Sequence, residues 1–432
     1  MLPKPESACL VIADISGYTG YLAGVELDHA QDILADLMDT IVGALRPPFS
    51  LSKLEGDAVF VYAPTPEIDR SLLQDTIEAT YFTFRRRLRD IKQSSTCECD
   101  ACRLIPSLDL KFVVHHGQIA KQTMSGQEEL VGRDVILIHR LLKNKVEEKL
   151  GRRAYALYTD AAMQCAGTDA SAQGMIAHHE TIDIIGDVRC WLRDLESAWQ
   201  REEEGKRIEV SATDAVATFA IDVAAARSTT WEFLTMPGRR VLWTAGSTGA
   251  NESTVNGRRG TGTITHCMHG KDALVEEFLD WRPHDYVTRR VQVFDTGVSM
   301  TMTHALSDRA DGGTHIEIRV AKPEPEMMER FGQLTPLLEQ LMQASGAALV
   351  AQLNEAAAQF WATQATEPAL PASAGRFVTQ PVSHRAIRRR LRDWSRLPRL
   401  PKTRLHSGCG SPAKIDIPAR KPDLCAAKIG NA

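Results

Sequence analysis

The stretch KLEGDAVFVY, residues 53–62, sets a polar turn against an apolar run. Ala58 to Tyr62 has the character of a buried strand. It is entered through Lys53, Glu55 and Asp57, grouped around Gly56. The plain reading is a hairpin in which a glycine and polar residues turn the chain and the charges face water. A chemical reading needs a second acid beside Asp57, and the surrounding pattern says where to look.

Upstream, ACLVIADI (8–15) is a continuous apolar run, again a buried-strand signature. Asp28 then precedes a helix with apolar residues at Ala30, Ile33, Leu34, Leu37, Met38, Ile41, Val42 and Leu45, one stripe at the helical period. Asp28 with Gln31 makes a capping-box-like start, and Pro47-Pro48 stops the helix. FSLSKL (49–54) and AVFVYA (58–63) read as strands about a tight turn. A second helix is expected from about Pro66 to Ile91, with Leu73, Ile77, Tyr81, Phe84 and Leu88 inward. LDLKFVVHHG (108–117) is another strand, and Val135 to Val146 another helix. The order β-α-β-β-α-β predicts a ferredoxin-like split βαβ arrangement within an α+β fold. There the first and third strands are antiparallel neighbours. Asp14 ends the first and Asp57 opens the third, so the two carboxylates should converge at one rim, where paired acids can hold divalent cations.

The chain has 432 residues, which suits two or three domains, and its 43% apolar and 25% charged content is ordinary globular material. No apolar stretch approaches a membrane span, and a soluble, cytoplasmic protein is expected. Nine cysteines, an odd number and mostly scattered, do not make a disulfide framework. Charge is unevenly placed. Residues 366–432 hold 14 Lys and Arg against 4 Asp and Glu, a net of +10, and the remainder holds 37 against 51, a net of −14.

REEEGKR (201–207) reads as a charged linker to a second region. Residues 208–362 read as strand, helix, several strands and a long closing helix, about 326 to 361. GTITHCM, LVEEFLDW, YVTRRVQVF, SMTMTHAL and THIEIRVA alternate as antiparallel strands. The closing helix puts Leu334, Leu337, Leu338, Leu341, Ala348 and Leu349 on one side. A curved sheet gripping such a helix is expected to enclose an apolar cavity. Residues 363–432, rich in arginine and broken by proline, read as a disordered tail without a folded nucleic-acid motif, so no specific nucleic-acid partner is expected.

LVIADISGYTGYL (10–22), KLEGDAVFVY and VVHHG…LVGRDVILIHRL (113–117, 130–141), in that order, resemble the class III nucleotidyl cyclase catalytic domain. HRLLKN and a cysteine cluster bring the chain nearest to a bacterial subfamily of it. The resemblance covers residues 1–200 and implies a nucleoside triphosphate substrate, two Mg2+ or Mn2+ ions per site, and a homodimer. It implies Asp14 and Asp57 as metal ligands, Lys53 with Glu129 as the purine-reading pair, and Arg140 as the residue that stabilises charge on the phosphate. An acid with a lysine suits adenine, so cyclic AMP is the implied product. The chain departs from the pattern where the cyclases place a ribose-positioning asparagine, because Ile136 stands there. A degenerate nucleotide or small-molecule sensor is the alternative this raises. The second region resembles START-like, polyketide-cyclase-type helix-grip proteins, through RSTTWEFLTMPGRRVLW (227–243) with Trp231, Pro237 and Trp243. That resemblance implies a small apolar ligand, regulatory or itself the object of the protein's activity on an aromatic or lipid molecule.

Cys97, Cys99 and Cys102 form C-x-C-x-x-C, a spacing that suits Zn2+ if a fourth ligand such as His116 or Asp100 joins, and equally suits a redox pair or plain reduced thiols. HCMHG (266–270) reads as a hairpin entry, since His266 and Cys267 point to opposite strand faces. The pairs His115–His116 and His178–His179 read as strand histidines satisfied within the sheet.

Overall fold

The first apolar run becomes β1 (Glu6–Ser16), buried from Ala8 onward. It belongs to a computed structural model that describes residues 4–23, 25, 27–65, 69–94, 100–124, 127–167, 169–296 and 298–364. After β1 come α1 (Tyr18–Ala23), α2 (Leu27–Leu45), β2 (Ser50–Glu55), β3 (Ala58–Pro64), α3 (Arg70–Ser94) and α4 (Asp100–Leu104). Next are β4 (Asp109–Met124), β5 (Gln127–Val131), α5 (Arg133–Leu141), α6 (Val146–Leu150), β6 (Tyr155–Thr159) and α7 (Asp160–Cys165). A hairpin of β7 (Ile176–Ile182) and β8 (Gly186–Asp194) leads into α8 (Leu195–Glu204).

These strands form one sheet in the order β2-β3-β1-β4-β6-β8-β7, with β5 paired to β4. β1 is antiparallel to both β3 and β4, which sets Asp14 opposite Ala58 and Lys111. Its alternation feeds two cores. Cys9, Val11, Ala13 and Ile15 pack with α2 and α3, and Ala8, Leu10 and Ile12 pack with α5. Of the α2 stripe, Ile33 alone is only partly buried, and all five residues expected to point inward from α3 are buried.

Three local expectations are corrected. α2 begins at Leu27, so Asp28 lies in its first turn and is not the cap. The helix expected from Val135 to Val146 ends at Leu141, because Asn144 stops it. The Asn144 side chain donates to the Leu141 carbonyl and accepts from the Val146 N–H and the Tyr155 hydroxyl, which starts α6. REEEGKR is not a free linker. Arg201–Glu204 are the last turn of α8, and Glu202 is buried against Arg282 at 2.9 Å. Its carboxylate also meets Arg86 and Arg207, so the charges are paired and the segment folds.

The second half contains β9 (Ala215–Val223), α9 (Arg227–Thr235), α10 (Pro237–Trp243), β10 (Gly249–Ser253), β11 (Ile264–His269) and β12 (Asp272–Arg282). β13 (Tyr286–Val293), β14 (Val298–Asp308), β15 (Thr314–Ala321) and α11 (Met328–Gln364) complete it. Its seven strands form an antiparallel sheet in the order β10-β11-β12-β13-β14-β15-β9. α11 packs Leu349, Leu353 and Ala357 into that core. Its first half is looser. No residue from Met328 to Ala344 is buried, and Leu337, expected to face inward, is 46% exposed.

Both sheets belong to one compact unit, and α3 joins them. Residues 71–82 of α3 are all buried, including Asp75 and Glu78, which sequence periodicity would leave in water. Asp75 accepts hydrogen bonds from the indoles of Trp231 (2.9 Å) and Trp281 (3.2 Å), and Arg258 pairs with both acids. Burial pushes the Glu78 carboxyl up, but Arg258 and Arg193 outweigh it and hold the group at about 2. The arginine-rich tail expected to be disordered lies, from residue 365 on, outside the described residues.

Candidate functional site

Asp57 sits in a two-residue turn between β2 and β3, where Glu55 pairs with Ala58. Gly56 carries φ +67°, a conformation glycine adopts without strain, and Asp57 has no positive φ, the pattern of a II′ hairpin. The Asp57 carbonyl accepts the Ile15 N–H at 3.2 Å, which ties the turn to the end of β1 beside Asp14. Asp14 is 9% exposed and its carboxylate lies 3.0 Å from Lys111 Nζ. The Asp57 carboxyl is raised by burial and then by the Asp14 charge, with its own backbone N–H and Lys111 opposing. Two partly desolvated carboxylates that repel each other are hard oxygen donors, the kind of group that divalent cations take. Lys111 now supplies part of that positive charge. Among the described residues, no group of three or more His, Cys, Asp or Glu is arranged to hold a metal ion.

A separate cleft of about 880 Å3 lies at α5. Lys53, Glu55, Ile136, His139, Arg140 and Asp183 are among its lining residues, and neither Asp14 nor Asp57 is. Lys53 Nζ stands 3.1 Å from Glu129 and 3.2 Å from Glu55, joining residues 76 positions apart in the chain. Burial works against the Lys53 charge, but the two carboxylates outweigh it and raise its pKa. Glu55 also accepts from His139, whose ring lies edge-on to Phe60 at 4.9 Å. Arg140 is exposed and donates to the Asp183 carbonyl at 3.3 Å, on the loop between β7 and β8. Ile136 is 55% exposed in this cleft. Lys53 and Arg140 therefore line one cleft, with Glu129 held to Lys53 beside it, while Asp14 and Asp57 are not among the residues that line it. Sequence reasoning missed Glu55 and His139, although Glu55 lies inside the opening stretch, two residues from Lys53.

The other candidates are engaged elsewhere. Cys97 and Cys99 lie outside the described residues, and Cys102 in α4 packs against the first core. Of its possible zinc partners, His116 pairs with the Thr65 hydroxyl at 2.9 Å and Asp100 with Arg103 at 2.7 Å. His115 is buried with Thr159 and faces Asp134, and His178 is buried against Glu180 at 2.6 Å. Gly117 is required beside them, because a Cβ there would come within 2.4 Å of the Asp134 carboxylate. Among the described residues no helix is long and apolar enough to cross a membrane.

Residues 34–150 match a family described as "Protein of unknown function (DUF2652)". An uncharacterised protein of Mycobacterium tuberculosis is 37% identical over 132 residues, which is 31% of this chain and 59% of that protein. Among solved structures, a bacterial light-regulated adenylyl cyclase is 11% identical with a TM-score of 0.34, over 46% of this chain and 57% of that one. The adenylyl cyclase CyaB of P. aeruginosa is 15% identical with a TM-score of 0.31, over 45% of this chain and 99% of its own. The guanylyl cyclase Cya2 is 12% identical with a TM-score of 0.31, over 44% and 93%. The chain thus spans less than two thirds of the M. tuberculosis protein and of the light-regulated enzyme. The structural neighbours are adenylyl and guanylyl cyclase domains, at TM-scores too low to carry any residue's role across.

Proposed function

We propose that residues 1–200 form a class III cyclase-like unit, ferredoxin-like in topology, that converts ATP to cyclic AMP in a cytoplasmic homodimer. The observation that carries this reading is the pairing of Glu129 with Lys53, which lines the same cleft as Arg140. An ammonium that donates and a carboxylate that accepts match the ring nitrogen and exocyclic amine of adenine. Arg140 sits where it can neutralise charge growing on a phosphate. Asp14 and Asp57 would hold Mg2+ or Mn2+, two per site, which when bound neutralise the triphosphate and acidify the ribose 3′-hydroxyl. The 3′-oxygen bonds to the α-phosphorus as the bond to pyrophosphate breaks, and the hydroxyl proton leaves to solvent.

The separation of the cleft from the aspartates supports the dimer. A two-fold partner could bring its own aspartates to this cleft and receive the same in return, giving two equivalent sites. Mixing Asp57→Ala and Arg140→Ala proteins under conditions that exchange subunits should then restore activity in the heterodimer. Active wild type without such rescue would refute the shared site.

The decisive assay uses the purified full chain with Mn2+ and ATP or GTP. Cyclic AMP, formed in preference to cyclic GMP, is the expected product. Absence of both cyclic nucleotide formation and nucleotide binding would overturn the reading. Ile136 in the cleft and Lys111 on Asp14 favour a second reading, a sensor that binds nucleotide without turnover. Binding of Mn-ATP with no product would select it.

Residues 208–362 complete the proposal as a helix-grip unit that takes a small apolar ligand. The antiparallel order with β9 beside β15, and the half-exposed apolar residues Phe331, Leu334, Leu338 and Met342 on α11, support that assignment.

A further inference from the structure

The helix-facing side of the second sheet is not uniformly apolar. On β13, Arg289 alternates with Val287 and Val291, whose core includes Leu349 and Leu353 of α11. Its direct cross-strand neighbours are Phe278 on β12 and Met302 on β14. Glu276 shares the Phe278 face, His304 shares the Met302 face, and Arg240 enters from α10. Arg240 is 4%, Glu276 4%, Arg289 1% and His304 4% exposed.

The charges in this cluster do not balance. Arg240 grips Glu276 with both terminal nitrogens, one of them at 2.7 Å. Arg289 reaches the same carboxylate only at 3.8 Å, and among the described residues no other carboxylate lies within ion-pair distance of it. Its remaining bonds go to neutral acceptors, the Leu234 carbonyl at 3.4 Å and the His304 ring at 3.1 Å. The buried Nε atoms of both arginines have no hydrogen-bond partner. Burial pushes the Arg289 pKa down to about 10, which leaves it charged at neutral pH. His304 is held neutral by burial and by the two guanidinium charges, so it accepts from Arg289 without adding a cation. Two arginines and one glutamate leave a net positive charge in an apolar interior, where an unpaired ion is strongly disfavoured.

We propose that Arg289 receives the carboxylate of an amphiphilic ligand whose apolar body lies beneath the first half of α11. This rests on the helix-grip reading above and names the ligand class: a monocarboxylate with an aliphatic or aromatic body. The apolar part would meet an apolar core. Phe278, Met300 and Met302 belong to it from the sheet, and Phe331, Leu334 and Met342 pack against the same core from a helix segment that contains no buried residue. Methionine and a loosely held helix suit a ligand body of variable shape.

A matched pair of probes tests this on the full chain. Decanoate and decanol share a tail and differ in the head group, and their affinities can be compared by calorimetry at pH 7.5. Decanoate should bind at least about tenfold more tightly, and Arg289→Gln should erase that preference while Arg289→Lys keeps part of it. Equal affinity for the two probes would overturn the carboxylate assignment and leave the apolar-ligand reading standing. Binding of neither would overturn both. If Arg289→Gln does not fold, the wild-type comparison alone decides.

Discussion

The cleft at α5 and the interior of the second sheet treat charge in opposite ways. Around α5, the Lys53, Glu55 and Glu129 side chains are 37%, 26% and 30% exposed. In the second sheet, Arg240, Glu276 and Arg289 have side-chain exposures of 5%, 5% and 2%. Exposed pairs are screened and exchange partners readily, as an incoming polar ligand requires. Buried pairs are held by the energetic penalty of leaving any charge alone. The open cleft is thus built to give up its contacts, and the interior cluster to keep or complete them.

That contrast is easiest to break by removing one charge from each side. Glu276→Gln, which strands two buried arginines, is expected to cost about 3–5 kcal/mol in chemical unfolding. The same chain should lose less than about 1 kcal/mol with Lys53→Met, since that pair is exposed. Similar losses for the two variants would mean the interior charges are better solvated than their burial implies.

In the cleft the sharper readout is rate. Ile136→Asn should raise cyclase activity by about a hundredfold if a missing transition-state contact limits it. An unchanged, measurable basal rate would place the limit elsewhere, with Lys111 the next candidate.

A smaller effect comes from acid. Burial, and then Arg227, push the His284 pKa down to about 3, so the folded protein keeps this ring neutral. A base whose folded pKa is depressed contributes stability above its unfolded value near 6.5, lost as pH falls toward 3. Stability should therefore drop by about 2 kcal/mol between pH 7 and 5, measured by unfolding at each pH. His284 has φ +62°, which asparagine tolerates, so His284→Asn should flatten that slope without straining the turn.

Much of the first half was legible in the sequence because its strands are apolar on both faces and its helices carry clean stripes. ACLVIADI and AVFVYA are continuous apolar runs bounded by Asp14 and Asp57, and the structure pairs Asp14 with Ala58 at that shared rim. Asp75 and Glu78 were not legible, because a helical period shows which face is apolar but not that a distant sheet buries the other. The second sheet was readable as strands, yet not in its charges. A register shift between Phe278 and Asp280 puts Trp281 beside Phe278 at 5.0 Å, and no residue type in LVEEFLDW marks it. The REEEGKR segment misled for a related reason: its acids look solvated until Arg86 and Arg282 arrive from two distant parts of the chain and the segment's own Arg207 turns back onto Glu202. The grouping of Lys53 and Glu129 could be read only through the resemblance, because 76 residues separate them.

The shared hydrogen bonds at Asp75 have an optical consequence. Trp231 and Trp281 come from the second half, lie edge to face at 5.1 Å, and both point their indole N–H at a carboxylate on α3. Their emission therefore depends on a negative charge carried by the other half of the chain. Any ligand that shifts α3 against the second sheet changes the colour and yield of two intrinsic fluorophores, so communication between the cleft and the interior can be followed without a label.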